Sequence, residues 1–230
     1  MTFLNSSEPL LQPKQAALDI QDLKGLLHIR VQLGSRILLQ SHYTRIDQIF
    51  VLWGVLSSLI FATAQFVPLA WTTQAWIWSI LTIGAALAMT VLSWCWTGIE
   101  RLRWLIWLWV SLLVVGVSLT DYSIFQCWGW GMAHLSELWL LVCAVGYWAT
   151  GWGLKSRSLG LTGLVHLLGC LVLPWTMPYQ FLFAGLILAS TLFFLGEYQW
   201  DMRPPVDFAN LTPSQRRFNQ QQHLLRQAEI

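Results

Sequence analysis

His134 and Glu137 stand three residues apart inside an otherwise apolar stretch, 132 to 152, and Asp121 precedes them across the segment DYSIFQCWGWGMA. Residues at that spacing share one face of a helix, so an imidazole and a carboxylate would lie side by side. Such a pair can pass a proton, act as general acid or base, or, with Asp121, line a polar pocket for a small solute. A carboxyl group held in hydrocarbon costs about 2.5 to 3.5 kcal/mol, which makes Glu137 the residue of most interest and His134 its natural partner. The plain alternative is a headgroup-level anchor and a carboxyl satisfied by local hydrogen bonds. His166 lies on a second apolar stretch, where Thr162, Gly163, Gly169 and Cys170 share its face, and this places it deeper in the bundle than Glu137.

The remaining chemistry is defined by what is missing. The chain has no G-x-x-x-x-G-K-[ST], no H-E-x-x-H, no G-x-S-x-G and no C-x-x-C. One H-x-x-E with an extra aspartate does not make a metal signature, so no metal is expected. His134 and His166 fall at different heights, which argues against a bis-histidine haem, and no cofactor is expected. The expectation is a protein without enzymatic activity.

These residues need elements that can hold them in lipid. Hydrophobic residues make up 56% of the chain and charged residues 10%, a composition outside the soluble range. The reading is an all-α integral membrane protein. Six stretches, near 49–69, 75–97, 104–120, 132–152, 159–175 and 178–198, are long enough to cross ~30 Å of hydrocarbon at 1.5 Å per residue. Many of the 16 tryptophans fall near the ends of these stretches, where an indole ring sits well at a membrane interface. Lys14, Lys24, Arg30, Arg36 and Arg45 precede the first stretch, Arg101 and Arg103 follow the second, Lys155 and Arg157 follow the fourth, and Arg203, Arg216, Arg217 and Arg226 follow the sixth. The intervening loops have no Lys or Arg, so the positive-inside rule puts both termini in the cytoplasm and the Asp121/His134/Glu137 group on the outer side. A formal charge of +2 is too small to suggest nucleic acid. The composition suits a bacterial inner membrane, or a thylakoid or plasma membrane.

Flanking the 49–198 bundle are two polar segments, 1–48 and 199–230. From 14 to 47 a 100° periodicity gathers Ile20, Leu23, Leu26, Leu27, Val31, Leu33, Ile37 and Leu38 on one side, and predicts an amphipathic helix. After the Arg203-Pro204-Pro205 exit, Thr212-Pro213-Ser214-Gln215 reads as an N-cap with Pro at the first helical position, opening a helix to about Gln227. Its Phe218, Leu224 and Leu225, with Leu23, Leu26, Leu27, Val31, Ile37 and Leu38, form the expected surface for the lipid bilayer or for a membrane-protein partner. Small residues four apart (Gly54, Ser58 and Ala62; Gly84 and Ala88; Gly185 and Ala189) mark expected helix contacts. Glu100, Glu197 and Asp201 read as weak headgroup-level pairs with nearby arginines, and His28, His42 and His223 as solvated. Two functions fit: binding or assembly of other membrane components through the cytoplasmic ends, or small-solute transport, as carrier or substrate-binding subunit, with an outward-facing polar pocket.

Overall fold

Thr44 and Asp47 start the first long helix. Thr44 Oγ1 accepts from Asp47 N at 3.3 Å while Asp47 Oδ2 accepts from Thr44 N at 2.9 Å, a reciprocal capping box that opens α2 (Arg45–Phe66). The computed structural model describes residues 9–15, 17–33, 36–202 and 211–228. After α2 come α3 (Trp71–Ile99), α4 (Arg103–Phe125), the single-turn α5 (Gly129–Ala133), α6 (Leu135–Leu154), α7 (Arg157–Val172) running into a 3₁₀ turn, and α8 (Gln180–Glu197). Helix dominates the structure, and five helices, α2, α3, α4, α7 with its 3₁₀ extension, and α8, are long and apolar enough to cross a membrane.

The 20-residue α6, which carries Glu137 and several Trp, Tyr and Gly residues, falls outside these five. It nevertheless runs the length of the bundle. Leu135 packs with Ala75, Trp78 and Ile124 at one end, while Leu154 packs with Trp96, Leu102 and Leu195 at the other. The second end holds every described Lys and Arg and is called the basic end here.

Helices approach closely where side chains seat on glycine. Phe193 of α8 lies over Gly54 of α2, and Phe61 of α2 lies over Gly185 of α8, so a Cβ at either glycine would strike a ring. Gly84 departs from expectation: among the described residues nothing lies within 4 Å of where its Cβ would be. The tryptophans also divide. Trp76, Trp107, Trp152 and Trp175 are exposed on the surface, but Trp78 and Trp96 are buried, and Trp53, Trp109 and Trp139 pack against the core.

The N-terminal segment corrects the all-α reading. In place of a helix over 14–47 there is a single turn, α1 (Ile20–Leu23), followed by an antiparallel strand pair, β2 (Leu27–Leu33) and β3 (Arg36–Tyr43). The physical reason is visible in the residues. Gly25 takes a left-handed φ of 72° that stops the helix, and beyond it Leu27, Ile29, Val31 and Leu33 alternate with His28, Arg30 and Gln32 at period two. The helical wheel merged two patterns across that glycine. Leu23 and Leu27 are exposed and Leu26 half-buried, while Val31, Ile37 and Leu38 lie on the strand pair, so these residues do not form one helical docking face.

The tail helix α9 (Pro213–Ala228) forms as expected, with Gln215 N bonding to Thr212 Oγ1 at 3.4 Å and Thr212 N to Gln215 Oε1 at 3.0 Å. In α9, Phe218 is half-buried and Leu224 exposed. The two polar segments meet in a cap over the basic end. The short strand β1 (Leu11–Gln12) pairs with β4 (Gln199–Trp200), Ile20 N donates to Asn219 Oδ1 at 2.9 Å, and Arg226 binds Asp19 at 3.0 Å.

Candidate functional site

Asp121, His134 and Glu137 are brought together only in part. His134 precedes α6 and Glu137 occupies its first turn, with His134 Nε2 3.9 Å from Glu137 Oε2. Both side chains are about one-third exposed, at 38% and 34%, so Glu137 sits at the mouth of the helix, where the dipole favours a carboxylate, instead of a full turn inside. His134 Nδ1 lies 2.7 Å from Trp130 O, and its ring stacks on Trp130 at 4.4 Å. Asp121 turns to α3, where Ser79 Oγ donates to its carboxylate at 2.9 and 3.0 Å. Among the described residues no three His, Cys, Asp or Glu side chains gather in a metal-holding group.

His166 is fully buried and lies apart from these residues. Its Nδ1 is 2.8 Å from Thr162 O and so carries the proton, and Tyr147 packs at 5.1 Å. Its Nε2 has no hydrogen-bond partner among the described residues.

The dense polar chemistry is at the basic end, where the sequence reading expected only weak surface pairs. Asp201 is the centre of one cluster. Its carboxylate accepts from Ser156 Oγ (3.0 Å), Arg157 N and Nε (both 2.9 Å), Ser158 N (2.9 Å) and Ser158 Oγ (2.7 Å), with its side chain 4% exposed. Burial alone would raise its pKa, but the Arg157 guanidinium and the α7 N-terminal donors win and hold it below the usual carboxylate range. Glu197 accepts from Tyr43 OH at 2.5 Å, and burial followed by this carboxylate raises the Tyr43 pKa. Lys14 bridges Asp47 at 3.0 Å and His42 O at 2.9 Å, and sits over the Tyr43 ring. Burial, then the Lys14 charge, lowers the pKa of His42, which is no freely solvated histidine.

Beneath the cap is a polar chamber of about 160 Å³ lined by Lys14, Asp19, Asp22, Asp47, Glu100 and Arg226, among others. Asp22 accepts from Trp96 Nε1 at 3.1 Å. Burial, and then the neighbouring Asp19, push the Asp22 carboxyl up to about 7. Burial also raises Asp19, against the opposing pull of Arg226. Ile46, Trp96 and Trp200 line this chamber and also a second, apolar cavity of about 190 Å³ between the helices. Neither chamber was legible beforehand. Ser156 and Ser158 at a helix start signal a cap, but nothing in the spacing connects them to Asp201.

No protein-family model matches the chain, and neither a curated protein nor a solved structure shows significant similarity to it.

Proposed function

We propose that the protein crosses the membrane six times, with α6 as the sixth span and both ends cytoplasmic, and that its cap docks another membrane protein without doing chemistry. The sidedness rests on the concentration of Lys and Arg at the basic end. The sixth span rests on the passage of α6 from the Ala75/Ile124 cluster to the Leu102/Leu195 cluster, alongside helices long enough to cross.

The β2–β3 pair is the observation that carries docking. Within the described residues it is a two-stranded sheet, so neither strand pairs with a third, and at the end of β3 the His42 carbonyl is taken by Lys14 Nζ at 2.9 Å. An isolated two-stranded pair is marginal in water, and an open edge is a template for a strand from another chain. Its base is held by Gln48 Nε2, which donates to Tyr43 O at 3.1 Å and to Gly25 O at 2.8 Å, and this aims the pair from a fixed platform. The partner's contribution is an extended cytoplasmic segment that adds a third strand.

Replacing 27–42 with a short Gly/Ser linker tests this. The variant should insert and hold the β1–β4 and Asp201 contacts, yet lose a partner that crosslinks stoichiometrically to the intact chain in its native membrane. The same partner crosslinked equally to both proteins would refute docking through the pair. The transport alternative needs Asp121, His134 and Glu137 in one pocket; with Asp121 bound to Ser79, it ranks below docking.

A further inference from the structure

The strand pair has a charge as well as an edge. Between Leu23 and Ile46 the chain has Lys24, Arg30, Arg36 and Arg45, together with His28 and His42, and no Asp or Glu. Lys24, His28 and Arg30 are exposed, and among the described residues none of the three has an acidic partner. His28 and Arg30 stand two apart on β2, so their side chains share one face of the sheet. The His28 ring lies 6.3 Å from that of His42, directly across the ladder.

The same two residues turn their backbone groups to the open side. Only two residues separate Leu33 from its partner Arg36, and a pair closed that tightly uses its N–H and C=O groups on each other. The irregularity beside Val31 and Gln32 places its extra residue on β3, so the alternation along β2 is kept. Counting back, Val31, Ile29 and Leu27 bond toward β3, while the N–H and C=O of Arg30 and His28 point away from it. The Lys14 bond to the carbonyl of His42, the residue opposite His28, agrees, because it reaches a group that the ladder does not use. That bond also obstructs the β3 edge and leaves β2 as the edge for a third strand.

We infer that the third strand is a protein segment with acidic residues two apart, one opposite Arg30 and one opposite His28, and an apolar residue between them beside Ile29. This rests on docking through the strand pair and names what the partner must carry. A strand antiparallel to β2 exchanges both backbone bonds with Arg30 and with His28, and directly opposite side chains then lie about 4.5 to 5.5 Å apart on one face. One carboxylate meets the Arg30 guanidinium, and the other accepts from an imidazole N–H of His28. A second copy of this chain would set basic residues against basic residues, which is unfavourable at that spacing. An anionic lipid surface would meet the charges but leave the strand edge unpaired.

The test uses the full chain in nanodiscs of phosphatidylcholine, which has no net charge, and a dye-labelled, end-capped peptide alternating Glu and Val. Fluorescence anisotropy should show saturable binding that weakens as salt is raised. Affinity should fall about threefold in Arg30→Gln and about tenfold for a peptide alternating Gln and Val. Methylating the backbone nitrogens of the Glu residues keeps the charge and should abolish binding, since those N–H groups make the ladder. Equal affinity for the Glu and Gln peptides would overturn the acidic partner while leaving docking through the pair intact. No saturable binding of the Glu peptide up to about 1 mM would also overturn it, and the crosslinking of the linker variant then decides docking separately. Binding that survives methylation would show charge acting without strand addition, and Arg30-dependent enrichment of phosphatidylglycerol around a chain that binds no peptide would assign the basic face to lipid; either result overturns the inference. If Arg30→Gln fails to insert, the three peptides on the unaltered chain still decide the matter.

Discussion

Asp201→Ala should release the cap from the bundle. The carboxylate accepts five hydrogen bonds from residues 156–158, and its side chain is 4% exposed. Truncation leaves Arg157 without this counter-charge in a site where its own side chain is only 21% exposed, and deprives two backbone N–H groups at the start of α7 of their acceptor. Breaking a buried pair by removing one partner costs about 3 to 5 kcal/mol; the water still reaching Arg157 sets the expectation at the lower end, about 3 kcal/mol. Ser156 still caps Leu159 N, so α7 itself should persist. Asp201→Asn, which keeps the shape and loses the charge, should fall between the two. Hydrogen exchange of residues 9–15 and 157–160 in detergent reads the local opening. The pH dependence has a fixed sign. The folded pKa lies below the ordinary 3.8, so the stabilisation is complete above that value and disappears as pH falls through the folded pKa. A folded Asp201→Ala with exchange within 0.5 kcal/mol of wild type (, roughly the surface-substitution range), or the same acid response in both, would show that the cluster does not hold the cap.

Asp22 has the opposite sign. Its pKa is pushed from 3.8 to about 7, so ionisation costs the fold nothing below 3.8 and increasingly destabilises it up to about 7, by at most about 4 kcal/mol and by less where water reaches it. Asp19 and Glu100 add to the cost, while Trp96 N–H and Arg226 oppose it. Asp22→Asn should raise the thermal midpoint at pH 8 and flatten the change between pH 5 and 8; an unaltered slope would assign that dependence to other groups. Sidedness is tested with Cys127, which is exposed at the end opposite the basic residues, against Lys155→Cys at the basic end. On intact cells an impermeant maleimide should label Cys127 in the unaltered chain and, in a Cys127→Ser background, spare Lys155→Cys until the membrane is opened, and the reverse pattern would invert the topology.

The long helices were legible because lipid leaves the backbone little choice: an apolar stretch of the right length must satisfy its own hydrogen bonds. The tail helix was legible because Thr212, Pro213 and Gln215 carry a local cap signal. The strand pair was not read, although its alternation is in the sequence, because a 100° projection across Gly25 sums a period of two into a false stripe. The clusters around Asp201, Asp22 and Glu197 were out of reach for a different reason. Asp201 meets Ser158 across 43 residues, and Tyr43 meets Glu197 across 154, pairings that depend on how the helix ends are stacked and leave no local mark. The depth of Glu137 was not legible, since α5 takes up the turn that a continuous helix would have placed above it.

That stacking also bears on the cavity. Trp200 precedes Asp201 directly, lies on the β4 strand paired with β1, and packs edge-on against Phe50 at 6.3 Å. Trp96 is fixed from the other side by its bond to Asp22. These two rings, with Ile46, form the wall common to the polar chamber and the apolar cavity. An aromatic ring at such a boundary suits both sides, with its face against hydrocarbon and its N–H toward a carboxylate. The boundary therefore depends on residues far apart in sequence: the Asp201 clamp holds the strand that carries Trp200, and Asp22 holds Trp96. Loosening either clamp should admit water to a cavity whose walls are built for hydrocarbon, so damage to the cap should first appear as increased solvent exposure of interior indoles and only later as loss of helix.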